Sequence, residues 1–183
     1  MDFRTILREA TRPEHDHLDC MFTALDIAKL DGFASFFKVH LTCFQLMAKV
    51  AVDGSYSHKS LCQMVNCLAL DLDVLGGRQT QTGIKLSAKI DPLAIDYLVA
   101  GSRLGSKVSR KRWSGSDDPI VRRSNHYFGL DSNAVFWQLT CKALAEIYPD
   151  SHRAKVITRD TKILFRLFST VYENADAKEA AVV

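Results

Sequence analysis

At 183 residues, with 24 basic and 21 acidic side chains, the chain has a net charge of +3 and the length of one compact domain with a single buried core. A composition of 47% hydrophobic and 25% charged residues is that of a globular protein and excludes a disordered tail protein. Four prolines and nine glycines exclude collagen-like designs, the near-balanced charge gives no support for a dedicated nucleic-acid binder, and no run of about 18 apolar residues is present to span a bilayer.

The opening MDFRTILREATRPEHD carries charges at positions 2, 4, 8 and 9, where a secretory signal would need an apolar run. Helical spacing then dominates. The first segment, about Asp2 to Ile27, places Ile6, Leu7, Ala10, Leu18, Met21, Phe22 and Leu25 three and four residues apart. Pro13 lies inside it and Thr11 can cap a new start, so a break or bend is expected there. Asp31-Gly32 opens the second segment, FASFFKVHLTCFQLMAKVAV, dense enough in apolar residues to be buried on most of its circumference. The third runs from about His58 to Leu75 and stops at Gly76-Gly77.

RQTQTGIKLSAKI is polar and loop-like, and Asp91-Pro92 starts the fourth helix. From Lys111 to Asp131 the chain reads as basic and irregular. Two more helices follow, about Ser132 to Ile147 and Ser151 to Glu173, before a tail, 177–183, expected to fray. No strand-period run competes, so residues 1–176 are expected to form a single all-α domain, a multi-helix bundle. The five cysteines (Cys20, Cys43, Cys62, Cys67 and Cys141) form no C-x-x-C pair. They are expected to be small buried thiols of a protein in a reducing cytoplasm. The two tryptophans and ten phenylalanines read as core.

Three features can carry chemistry. His15 shares a helical face with Thr11, Leu18, Asp19 and Phe22, a mostly apolar stripe. A neutral imidazole there can ligate iron while Asp19 holds its other nitrogen, although a lone histidine is more often a surface or core residue. His17, two residues on, points away. In GSRLGS, Gly101 and Gly105 at a spacing of four strip one helix face, and Ser106 widens the bare patch. Close helix packing is the commoner cause of such a stripe, and approach of a flat ligand is the alternative. Arg103, Lys107, Arg110, Lys111, Arg112, Arg122 and Arg123 form a basic set, either a solvated face or a dock for carboxylates or an acidic electron-transfer partner. No G-x-S-x-G elbow, P-loop, H-E-x-x-H or strand-borne G-x-G-x-x-G is present.

With these residues in view, the chain resembles the heme oxygenases, in particular the short bacterial branch associated with bacteriophytochromes. Leu7-Arg8-Glu9-Ala10-Thr11, His15 and Leu18-Asp19 resemble the family's proximal helix, in which the histidine is the axial ligand of heme iron. Tyr97 to Val108, YLVAGSRLGSKV, resembles its distal helix, whose glycines let it bend close over the heme. FASFFKVHL, LALDLDVLGG and the C-terminal ILFRLFSTVYE match its other helical blocks in order, so the similarity covers nearly the whole chain. Three positions depart from the family: Ala100 stands for a glutamate, Ser106 for a glycine, and Ser102 for the aspartate of mammalian-type enzymes.

The resemblance implies a heme oxygenase that cleaves heme to biliverdin with release of carbon monoxide and ferrous iron. Heme would be both substrate and cofactor, with O2 and an external reductant (a ferredoxin, flavodoxin or reductase) completing the reaction, and biliverdin passing to a bacteriophytochrome. His15 would be the metal ligand, and Gly101, Ser102 and Gly105 the catalytic distal positions. Arg8 and Tyr97 would lie near the heme propionates with Ser106 on the distal surface, and Arg123 is the choice for the second propionate. A non-catalytic heme-binding protein on the same scaffold is the alternative, motivated by Ala100, Ser102 and Ser106. An unrelated helical interaction module is the third.

Overall fold

The computed structural model describes residues 1–76, 83–87 and 89–180, with side chains to residue 175. Eight helices lie in this range. They are α1 (Phe3–Ala24), α2 (Leu30–Ala48), α3 (Tyr56–Val74), α4 (Pro92–Ser114), α5 (Pro119–Arg123), α6 (His126–Gly129), α7 (Ala134–Ala145) and α8 (His152–Ala180). No described residue is in a strand. The fold is all-α, as the periodicity requires. None of the described helices is long and apolar enough to cross a membrane.

Several boundaries follow from local chemistry. Asp91 caps α4 by accepting the Leu93 N–H at 2.9 Å, with Pro92 at its first position. Ser55 caps α3 through the His58 N–H at 3.1 Å. Gly76 follows α3 with φ +66°, the left-handed turn that favours glycine after a helix. Gly77, and residues 78–82 and 88 of the polar stretch 78–90, lie outside the described residues. The described part of that stretch, 83–87 and 89–90, is neither helix nor strand.

Four expectations are corrected. The helix α1 is not broken at Thr11–Pro13: the Thr11 hydroxyl donates to the Leu7 carbonyl at 2.8 Å instead of capping a new helix. Pro13 leaves the Glu9 carbonyl without its helical donor, but both residues face solvent, where water replaces the bond. The stretch 111–131 is not irregular, since α4 continues to Ser114 and α5 and α6 follow. The last helix runs to Ala180, beyond its expected end near Glu173. Among the cysteines only Cys43 is buried; Cys67 and Cys141 are half-buried, and Cys20 and Cys62 are exposed thiols.

The helix α8 is the spine, packing against α1, α2 and α4, while α7 covers α4 and α1 and the α2–α3 pair closes the other side. The core is aromatic. Phe33, Phe36, Phe37 and Phe44 of α2 are buried with Tyr127 and Phe128 of α6 and Phe168 of α8. His40 sits among them, its ring stacked on Phe36 at 3.9 Å and 4.8 Å from Phe22, its Nδ1–H donating to the Phe36 carbonyl at 2.8 Å. Burial pulls its pKa down from 6.5 to about 4, against the opposing pull of the Phe36 carbonyl. The folded state therefore holds His40 neutral. Its contribution is complete above pH 6.5 and is lost as pH falls from 6.5 through about 4. The loss should reach about 3 kcal/mol. Urea melts at pH 7 and pH 4.5 should show it, and His40→Phe should flatten the dependence.

A second buried polar group organises the short helices. The Asp71 carboxylate, fully buried on α3, accepts from the His126 N–H at 3.0 Å, the His126 Nδ1–H at 2.7 Å and the Tyr127 N–H at 2.8 Å. It serves as the N-terminal cap of α6 from a distant helix. Asp71→Ala removes the acceptor of three donors, of which the Tyr127 N–H is buried and the two of His126 reach solvent, and should cost about 3 kcal/mol, read as a lower urea midpoint. Asp71→Asn should recover part of that loss.

Candidate functional site

Two helices carry the candidate residues, and side-chain bonds fix how they lie. Near the start of α4 the Tyr97 hydroxyl lies within hydrogen-bonding reach of Thr11 of α1. At the far end of α4 the Arg112 guanidinium takes the carbonyls of Phe22, Thr23 and Leu25 at 3.3, 3.2 and 2.5 Å, closing the C-terminus of α1. The ties occur in the same order along both helices, so α1 and α4 run parallel. His15 stands four residues beyond Thr11 and Gly101 four beyond Tyr97, each about 6 Å along its helix. They are therefore level with one another, and α8 packs against both helices.

On α1, the His15 Nδ1 is 3.2 Å from the Asp19 carboxylate and 3.8 Å from that of Asp16. Its ring meets the edge of Phe165 at 5.7 Å. The Nδ1–H toward Asp19 fixes the tautomer in which Nε2 offers the lone pair. Thr11 and Leu18 of the same face are buried and Phe22 is half-buried, but the His15 side chain is 55% exposed. It stands at the rim of the apolar stripe, not inside it. His17 is exposed, as its position on the helix requires. Immediately before His15, Glu14 accepts from Arg166 of α8 at 2.7 Å, with Lys162 at 3.8 Å. That pair fixes α1 on α8 at the level of His15. Sequence alone does not reveal it, because the partners lie 152 positions apart.

On α4, the helix is unbroken through both glycines, and the two differ. A Cβ on Gly101 would stand 3.8 Å from the Trp137 ring of α7, so this glycine already serves helix packing. A Cβ on Gly105 would meet nothing within 4 Å, and the residue is exposed. The Ser102 and Ser106 hydroxyls both turn back on their own helix, donating to Val99 O at 2.8 Å and Arg103 O at 2.7 Å. Ala100 is buried on the core side.

Tyr97 is half-buried, its ring 5.9 Å from that of Trp137. Burial pushes its phenol up, while the Thr11 hydroxyl and the positive charges of Arg8 and Arg4 pull the other way. Arg8 and Arg4 thus act by charge on Tyr97 from the first turns of α1, and Arg4 also reaches the Cys141 sulfur at 3.7 Å. Neither Arg4 nor Trp137 carries a signal in the local sequence pattern. Arg123 belongs elsewhere. Trp113 Nε1 donates to Val121 O at 2.8 Å, which sets α5 at the C-terminal end of α4. That end is about 24 Å along the axis from Tyr97. The basic set also divides: Arg103 is buried, donating to Leu130 O at 2.6 Å over the Tyr127 ring, and Arg112 is the clamp described above. Lys107, Arg110, Lys111, Arg122 and Arg123 are exposed.

The chemistry of this arrangement is a single imidazole nitrogen with a carboxylate behind it, and on α4 a helix face bare at Gly105, about one turn beyond the level of the imidazole. The ligand atoms of His15, Asp16 and Asp19 lie within 4.8 Å of one another, yet all three residues are exposed and nothing around them closes a shell about a free ion. Comparison of the chain with models of known families, with curated proteins and with solved structures gives no match.

Proposed function

We propose that this protein is a heme oxygenase, binding heme between α1 and α4 and cleaving it to biliverdin, carbon monoxide and ferrous iron. One observation carries the reading: an imidazole oriented by Asp19 stands level with a neighbouring helix that exposes a side-chain-free face at Gly105. A flat macrocycle needs that pairing, one axial nitrogen on one side and backbone-close approach on the other. The donor set fits. His15 would ligate the iron through Nε2, and Asp19 would hold the ring and raise its basicity. Arg8, with Tyr97 and Arg4 beside it, would take the propionate carboxylates by charge-assisted bonds. Arg123 does not join them, because both propionates leave one edge of the porphyrin and Arg123 lies at the other end of α4.

The bound heme supplies the redox chemistry and is itself the molecule cleaved. The chain's own work is binding and orientation. Gly105 would leave α4 free to lie close over the substrate while Gly101 seats the helix against Trp137, and a bend of α4 at these glycines belongs to the same reading. Ser102 keeps lone pairs on its oxygen to accept a proton-bearing partner while its own proton rests on Val99 O. Ser106 adds a small surface beside Gly105. O2 is the co-substrate and the electrons come from an external donor, a ferredoxin, flavodoxin or reductase, with a bacteriophytochrome as recipient of the product.

The second reading, a heme-binding protein without turnover, is favoured by the two serine hydroxyls committed to their own helix. Titration with hemin should give a Soret band at one equivalent. Addition of reductant in air should then convert the spectrum to that of a verdin. A Soret band without conversion selects the second reading, and no Soret band rejects both.

A further inference from the structure

Cys62 of α3 stands in a setting that heme chemistry does not use. Its Sγ is 3.7 Å from His58 Nε2, and His58 Nδ1 is 3.4 Å from the Asp53 carboxylate. The spacing of four on α3 sets the thiol beside the imidazole. The Ser55 cap fixes the turn that carries the ring, and the His58 side chain is only 27% exposed. A thiol, a base within reach of it and a carboxylate on the far nitrogen of the base make up an activated nucleophile. The thiol is accessible, and it lines a cavity of about 330 Å³ between α2 and α3 together with Ala48, Lys49, Val65 and Asn66. The groove is open to solvent, and its volume is at the low end for a small-molecule site.

The geometry points to Cys62 as a reactive thiol that exchanges with low-molecular-weight disulfides bearing carboxylates, which the adjoining cavity seats against Lys49. A shared metal ion is the weaker use of these groups. Among the described residues, the cluster close enough to share an ion is that of His15, Asp16 and Asp19. Acyl transfer is also weaker, because it needs donors aimed at a developing oxyanion. Of the first turn of α3, the His58 N–H is taken by Ser55 Oγ and the Lys59 N–H by Ser55 O, and the Cys62 N–H lies in the helical ladder. Disulfide exchange needs only in-line access to sulfur. The Cys62 proton passes to His58 Nε2, and the Sγ electron pair attacks one sulfur of the disulfide. The old S–S bond breaks as the new one forms, and the departing thiolate takes the proton from His58. No other oxidant or reductant is required.

The test is exposure of the purified full chain to glutathione disulfide and, in parallel, to uncharged bis(2-hydroxyethyl) disulfide, with each cysteine followed by peptide mass mapping. Cys20, the other exposed thiol, is the internal reference. Cys62 should form the mixed disulfide at least about tenfold faster than Cys20. His58→Gln should bring it down to the Cys20 rate, and Asp53→Asn, at a fully solvated side chain where no fold is at stake, should slow it in the same direction. Lys49→Met should slow glutathione disulfide and leave the uncharged reagent unchanged. Equal rates at Cys62 and Cys20, or no effect of either His58→Gln or Asp53→Asn, would overturn the proposal. Equal slowing of both reagents by Lys49→Met would overturn the carboxylate preference.

Discussion

His15→Ala should abolish conversion of hemin to verdin while leaving the apo protein folded. The side chain is half in solvent, and its contacts are two exposed carboxylates and the edge of one ring. Truncation therefore removes little buried area, and stability should change by no more than about 1 kcal/mol. The iron–nitrogen bond is a different matter, since no neighbouring group replaces the lone pair of Nε2. Asp16 and Asp19 are carboxylates, and Glu14 is held on α8 by Arg166 through Oε1. Hemin should still bind weakly through its apolar faces and propionates, with an altered Soret position. Asp19→Asn should keep the ligand but lose its charged support, lowering heme affinity or turnover by about 10- to 100-fold. His17→Ala, at an exposed position off this face, should change neither. A His15→Ala variant that turns hemin over at the wild-type rate removes His15 from the iron and makes His17 the next residue to test.

The architecture was readable wherever it depends on neighbours in sequence. The 3.6-residue period located the long helices, Asp91-Pro92 marked the start of α4 and Gly76 the end of α3, because caps and stops act within a few positions. The failures share one cause. The helix α6 has four residues and is capped by Asp71 from 55 positions away, a bond no local pattern can announce. Pro13 has the sequence signature of a break, but tertiary packing of α1 on α8 and a solvent-facing Glu9 carbonyl override it. The basic run looked uniform, yet Arg103 and Arg112 are structural, and only their distant carbonyl partners reveal it. At the candidate site, the His15–Asp19 contact follows from i,i+4 spacing alone and was legible. The distinction between the two glycines was not, because it is made by Trp137 on another helix.

That distinction yields the second large effect. Gly105→Leu should leave the apo protein as stable as wild type or stabilise it, and should sharply weaken hemin binding. Leucine is better than glycine in a helix by about 1 kcal/mol, and a Cβ at this position meets nothing within 4 Å. In the apo chain the new side chain has only solvent to displace. With heme between α1 and α4, the same side chain must occupy space that the ring needs, so the cost falls on affinity alone. Gly101→Leu should behave differently. Its Cβ would already lie 3.8 Å from the Trp137 ring, and the atoms beyond it must push α7 aside. Overpacking of that kind typically costs about 1–3 kcal/mol, so apo stability and hemin affinity should fall together. Apo melting temperatures and hemin titrations on both variants separate the two glycines. A Gly105→Leu protein that binds hemin as tightly as wild type would show that α4 does not lie against the porphyrin, and the heme would then have to be sought away from this face.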